Sequence, residues 1–76
     1  MKAFVLIKIR AGEVKGVVRQ LRTLESVSEA YMTFGPYDAV AVVESDELGS
    51  IGSLIASTIQ PIDGIEQTLT CLTVEV

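Results

Sequence analysis

Histidine and tryptophan are absent from this 76-residue chain, and cysteine occurs once. Without histidine, the commonest general acid–base and the commonest metal ligand are both missing. One thiol allows no intramolecular disulfide and no thiolate cluster, and no carboxylate pair falls at a ligand spacing. Zinc, haem and iron–sulfur sites are therefore excluded, and no catalytic residue, metal ligand or cofactor is assigned. Cys71 lies mid-strand among apolar neighbours, a setting that predicts an inert core filler. Gly49, Gly52 and Gly64 match neither the phosphate-cradling nor the dinucleotide-binding pattern. Aromatics are few, two Phe and two Tyr, and the net charge is −4. Neither a stacking surface for single strands nor a general attraction to nucleic acid or anionic lipid follows from that. No apolar run approaches the roughly 20 residues of a membrane-spanning helix. The opening Ala3-Phe4-Val5-Leu6-Ile7 is interrupted by Lys8 and Arg10 before a signal peptide could develop, so the expected location is the cytoplasm.

What the chain has in plenty is apolar side chains, 49% of its residues. A domain this small buries only about 60% of the surface its unfolded chain exposes. Part of the apolar surface is thus expected in contacts between subunits, which would stabilise a fold that lacks disulfides. Charge is unevenly placed: all six Lys and Arg lie within residues 1–22, and nine of the ten acidic residues lie beyond Arg22. Lys15, Arg19 and Arg22 share one face of any helix formed there, a solvated face in the plain reading and a partner patch in the sharper one.

Residues 3–9 alternate Ala3, Val5, Ile7 and Ile9 with Phe4, Leu6 and Lys8, the period-two pattern of a strand. After Ala11-Gly12, the apolar positions Val14, Val17, Val18 and Leu21 follow at helical spacing, predicting a helix over 13–23. Residues 27–34 return to a period of two. Gly35-Pro36-Tyr37-Asp38 is a turn signal, because Pro fixes φ at the second position of a turn. A strand over 39–44 closes a hairpin. Ser45 is a candidate N-cap, with Asp46 and Glu47 in the first turn. Leu48, Ile51, Ile55 and Ile59, with Leu54 beside them, then form a second helical stripe that Gln60-Pro61 stops. Asp63-Gly64 turns the chain into a closing strand over 65–76.

The order β-α-β-β-α-β predicts a single α+β domain, residues 1–76, of the ferredoxin-like kind: a four-stranded antiparallel sheet with two helices on one face. The helix-facing sets read as Val5/Ile7/Ile9, Ala30/Met32, Val40/Val42 and Leu69/Cys71, with strand three open to either orientation because both its faces are apolar. Phe4, Leu6, Tyr31, Leu72 and Val74 are left for the other face, which is too apolar to stay open and is most simply covered by another copy of the chain. A polar set, Gly35, Tyr37 and Asp38 in the hairpin with Thr68 and Thr70 on the last strand, has two readings. Asp38 could cap its own turn while the threonines serve as β-formers. Alternatively, threonine hydroxyls and free N–H groups suit a carboxylate and Asp38 suits an ammonium, the two ends of a free amino acid. Strand one separates the two halves of the set, so they would converge only across a subunit interface.

These residues, in this order, resemble the ligand-binding (RAM) domain of the Lrp/AsnC family of transcriptional regulators. The similarity rests on the opening Lys2-Ala3-Phe4-Val5-Leu6-Ile7, on Gly35-Pro36-Tyr37-Asp38 against the family's Gly-x-Tyr/Phe-Asp, and on Gly64-Ile65-Glu66-Gln67-Thr68-Leu69-Thr70 against its Gly-Val-x-x-Thr-x-Thr. The resemblance implies the same fold, sheet-to-sheet homodimers commonly gathered into octameric rings, and an effector amino acid held between dimers. It nominates Gly35, Tyr37, Asp38, Thr68 and Thr70 as ligand-binding residues. Full-length members also carry an N-terminal helix-turn-helix, whereas here Met1 opens directly onto strand one. The expectation is a stand-alone module that binds an amino acid without reading DNA, or that joins the oligomer of a full-length relative. Two other classes compete: a small dimeric ferredoxin-like enzyme of the cofactor-free oxygenase or isomerase type, and a purely structural assembly partner of a regulator.

Overall fold

Strand β1 (Lys2–Ile9) is the centre of the fold, and its period-two pattern decides which side of the sheet is inside. Ala3, Val5, Ile7 and Ile9 are all buried, while Phe4 and Lys8 between them are exposed. The structure, a computed structural model, describes residues 1–76. Helix α1 (Val14–Arg22) follows, then β2 (Val27–Met32), β3 (Ala39–Glu44), α2 (Leu48–Leu54) and β4 (Ile65–Leu72). The four strands pair antiparallel in the order β2-β3-β1-β4. This is the ferredoxin-like arrangement expected from the periodicity. Helix α1 buries Val17, Val18 and Leu21 and leaves Lys15, Arg19 and Arg22 exposed. Sixteen buried residues form one cluster between the helices and the sheet, and each fully buried Ile or Leu in it contributes about 1.5–3 kcal/mol.

Helix α2 departs from expectation at both ends. It starts at Leu48, and Ser45 does not cap it. The Ser45 hydroxyl instead accepts the Glu47 N–H at 3.3 Å, which places Asp46 and Glu47 before the first turn. At the other end the helix widens into a π-helical turn, Ile55–Ile59. The Thr58 hydroxyl donates to the Leu54 carbonyl at 2.6 Å, taking the acceptor that an α-helix would offer to the Thr58 N–H. The Gln60 N–H then reaches five residues back to Ile55 O at 2.9 Å, and Pro61 has no N–H with which to continue. Ile51, Ile55 and Ile59 are buried nonetheless.

Two β-bulges correct the expected side-chain parity. On β4, Ile9 pairs with Ile65 but Lys8 pairs with Gln67, so Glu66 is an extra residue. Counting by twos from Ile65 would turn Leu69 and Cys71 toward the helices; the bulge turns Thr68, Thr70 and Leu72 there instead. Leu69 and Cys71 lie opposite Leu6 and Phe4 on the open face, and Cys71 is exposed rather than a core filler. Val74 lies past the end of β4 and is exposed. On β2, the register shifts between Val27 and Glu29, which lets Val27 and Ala30 both enter the core. Strand β3 is also inverted relative to expectation: Ala39, Ala41 and Val43 oppose Ile7, Val5 and Ala3 and are fully buried. Val40 and Val42 oppose Leu6 and Phe4 on the open face. Both faces of β3 are apolar, so its own sequence did not distinguish them, and pairing with β1 does. No helix is long and apolar enough to cross a membrane.

Candidate ligand site

The β2–β3 loop is held by its own residues and then fastened to β1. The Thr33 N–H donates to Asp38 O at 3.0 Å, and the Thr33 hydroxyl donates to Tyr37 O at 2.7 Å. Gly35 sits at φ +142°, in the region that favours glycine, and Pro36 restricts it further. Asp38 is the fastening residue. Its N–H donates to Ile7 O at 2.9 Å, and its Oδ2 accepts the Ile9 N–H at 2.7 Å. The carboxylate thus joins β3 to β1 just where the β1–β4 register shifts, a longer-range task than capping its own turn. Tyr37 is half-buried, with Lys8 Nζ 5.9 Å from the ring centroid, at the outer limit of a cation–π contact.

Thr68 and Thr70 lie on the far side of β1, opposite Ile7 and Val5, and share the helix-facing side with those buried residues. The Gln60 amide donates to Thr68 Oγ1 at 3.0 Å, tying the end of the π-helical turn to β4. Thr70 lines a cavity of about 340 Å³ between α2 and β4, with Ile51, Ile55 and Gln60 among its walls and Gly52 leaving it open. No Cβ at Gly52 would meet an atom within 4 Å.

The five nominated residues therefore fall into two separate groups on the sheet. Gly35, Tyr37 and Asp38 flank β1 on the β3 side, and Thr68 and Thr70 flank it on the β4 side. Two strand spacings, about 10 Å, separate the halves, so one chain does not bring Asp38 and Thr68 together. Sequence reasoning missed Gln60 and the cavity, because Gln60-Pro61 read only as a helix stop. The one signal available was an amide side chain at that stop. Elsewhere, the Tyr31 phenol on the open face donates to Glu29, and that bond with the neighbouring negative charge raises its pKa. Arg10, raised first by its hydrogen bond to Asp63 and then by the charge of Glu13, holds the loops at the end of β1.

The model of the Lrp/AsnC ligand-binding domain matches residues 2–76. The HTH-type transcriptional regulator FL11 of Pyrococcus abyssi is 39% identical over 75 residues, which are 95% of this chain and 47% of the regulator. The chain thus spans about half the length of the curated relatives it matches. Among solved structures, TTHA0845 from Thermus thermophilus superposes with a TM-score of 0.91 at 32% identity, covering 99% of this chain and 94% of that one. A complex of the transcriptional regulator NMB0573 from Neisseria meningitidis with L-Met superposes at 0.85 over 97% of this chain and 49% of that one; at 14% identity this is a likeness of fold. With the matched family model, the FL11 identity and the ferredoxin-like topology in agreement, the chain belongs to the Lrp/AsnC family through that family's ligand-binding domain.

Proposed function

We propose that this chain is an amino-acid-binding module that completes its site between subunits, with Gly35, Tyr37, Asp38, Thr68 and Thr70 as its ligand residues. The observation that carries the reading is the pair of residue groups flanking β1 on the sheet. Asp38 uses Oδ2 internally and keeps Oδ1 for an ammonium. Thr70, beside Gln60 and Thr68, offers hydroxyl donors to a carboxylate. The α2–β4 cavity beside Thr70 suits a small apolar side chain. The L-Met bound to NMB0573 supports a free amino acid as the ligand class.

Assembly belongs to the same proposal. The open sheet face carries Phe4, Leu6, Tyr31, Val40, Leu69 and Cys71, with Phe4, Tyr31 and Leu69 between 39% and 48% exposed. A second copy covering that face would supply the burial that a 76-residue chain lacks. The net charge of −4 favours a role in holding effector over one in holding DNA. The walls of the helix-side cavity hold threonine, glutamine and aliphatic groups but no Tyr or Asp, so no acid–base pair there favours an enzyme.

A melting-temperature screen of free amino acids tests the reading. A ligand at 100 times its dissociation constant adds about 2.7 kcal/mol of stability. At about 4–8 °C per kcal/mol, that raises the melting temperature by roughly 10 °C or more. Thr70→Val preserves shape and should abolish the shift while leaving the unliganded melting temperature nearly unchanged. If no amino acid at millimolar concentration moved the wild type, ligand binding by this site would be refuted.

A further inference from the structure

Helix α1 carries Lys15, Arg19 and Arg22 around a shallow cavity of about 290 Å³ whose apolar floor is Val18 and Met32. Both ion pairs of the chain belong to Arg10, so these three cations have no carboxylate partner. Glu25, the first carboxylate after Arg22 in sequence, lines a different cavity, against α2. Cations at this spacing on one helix face repel one another, and no side chain of the molecule relieves that repulsion.

Arg22 is held in place nevertheless. Its Nε donates to Ala30 O of the edge strand β2 at 2.9 Å, which leaves the two Nη groups free. A guanidinium anchored through Nε presents a planar pair of donors, the geometry that meets two oxygens of one phosphoryl group. Seven residues separate Lys15 from Arg22, about 10 Å along the helix. A single orthophosphate would have to draw the three cationic heads together against their repulsion. A di- or triphosphate chain lets them stay apart and meets each in turn.

The size and the surroundings of the cavity narrow the anion further. Ligand clefts start at about 300 Å³, so this one holds a charged chain rather than a whole cofactor. Met32 is 51% exposed beside it, and its polarisable thioether suits contact with a ring attached to that chain. Nine of the ten acidic residues lie beyond Arg22 and the net charge is −4, so a nucleic-acid strand running past these three side chains meets repulsion that a short anion escapes.

We propose that the Lys15/Arg19/Arg22 face of α1 binds a di- or triphosphate chain, free or carried by a nucleoside. Lys15 and Arg19 supply charge along the chain, Arg22 grips one phosphoryl group through its Nη pair, and Met32 receives whatever the chain carries. The site lies at the β2 edge of the sheet, whereas the cavity beside Thr70 lies at the β4 edge. It goes beyond the amino-acid reading and does not depend on it.

Calorimetric titration at low ionic strength, where exposed charges are least screened, tests the site with inorganic tripolyphosphate, ATP, orthophosphate and a single-stranded oligonucleotide. Tripolyphosphate should bind once per chain and roughly tenfold or more tighter than orthophosphate, since each further exposed charge contact is worth up to about fivefold. ATP binding tighter than tripolyphosphate would assign the nucleoside-borne source, and equal or weaker binding the free chain. Arg19→Gln should weaken tripolyphosphate by about fivefold, whereas Lys2→Gln, which removes the same charge away from this face, should leave it unchanged. Arg22→Lys keeps the charge but loses the anchored fork, and should weaken binding as well. Circular dichroism confirms that each variant is folded, and Arg19, which makes no bond within the chain, keeps the test decisive should the Arg22 variant lose stability. Absence of tripolyphosphate binding at millimolar concentration, equal affinity for orthophosphate, equal losses in Arg19→Gln and Lys2→Gln, or wild-type affinity in a folded Arg22→Lys would each overturn the proposal. So would an oligonucleotide that binds tighter than tripolyphosphate, which would make the face a nucleic-acid surface.

Discussion

Replacing Asp38 with Ala removes the acceptor of the Ile9 N–H, a 2.7 Å bond to a charged oxygen. Bonds to charged groups contribute about 1.5–3 kcal/mol, and the N–H left behind is only partly within reach of water. The backbone bonds from Asp38 to Ile7 and from Thr33 to Asp38 survive the change, so the hairpin keeps its shape. The expected loss is therefore that of the one bond, about 2 kcal/mol. Against a total of roughly 4–11 kcal/mol for a chain of this length, that is a large fraction. Asp38→Asn keeps an acceptor oxygen and loses only the charge, so it should cost less than about 1 kcal/mol. Urea unfolding at one fixed protein concentration measures both, with an unchanged slope and a lowered midpoint expected for Asp38→Ala. An Asp38→Ala stability within about 0.5 kcal/mol of the wild type would refute the argument, since the bond would then contribute nothing net. Equal losses in the two variants would assign the effect to charge rather than to the acceptor. The comparison also bears on the proposed ligand role: Asp38→Ala removes the scaffold bond together with the charge, whereas Asp38→Asn removes the charge and keeps an acceptor.

Other expectations follow from particular positions. Gly35→Ala and Gly64→Ala both place a side chain at positive φ, which costs about 1 kcal/mol or more. Gly64 should be the worse of the two, because its added Cβ would lie 3.1 Å from Val17 Cγ2 while Gly35 has nothing within 4 Å; equal thermal shifts would contradict this ordering. Cys71 is exposed on the open sheet face, so under the proposed pairing of two copies through that face a thiol reagent should label it slowly in the wild type and quickly in Leu69→Glu. Equal labelling rates would show that no second copy covers the face.

The sequence by itself determined the element order and the inward set of β1, because Ala3, Val5, Ile7 and Ile9 alternate without interruption. It determined the buried stripe of α1 as well, since Val17, Val18 and Leu21 fall at helical spacing. It also located the Gly35–Asp38 loop and the Thr68/Thr70 pair, and its family resemblance was matched by the comparisons with known proteins. The tertiary structure decided the rest, wherever local pattern was degenerate. Both faces of β3 are apolar, so only pairing with β1 told Ala39 and Ala41 from Val40 and Val42. The bulge at Glu66 lies in an otherwise regular alternation, and it moved Thr68 and Thr70 to the helix side and Cys71 to the open face. Periodicity counts residues along one strand, whereas a bulge is a relation between two strands. The bond from Ile9 to Asp38, 29 residues apart, is of the same kind, since it exists only once β3 lies beside β1.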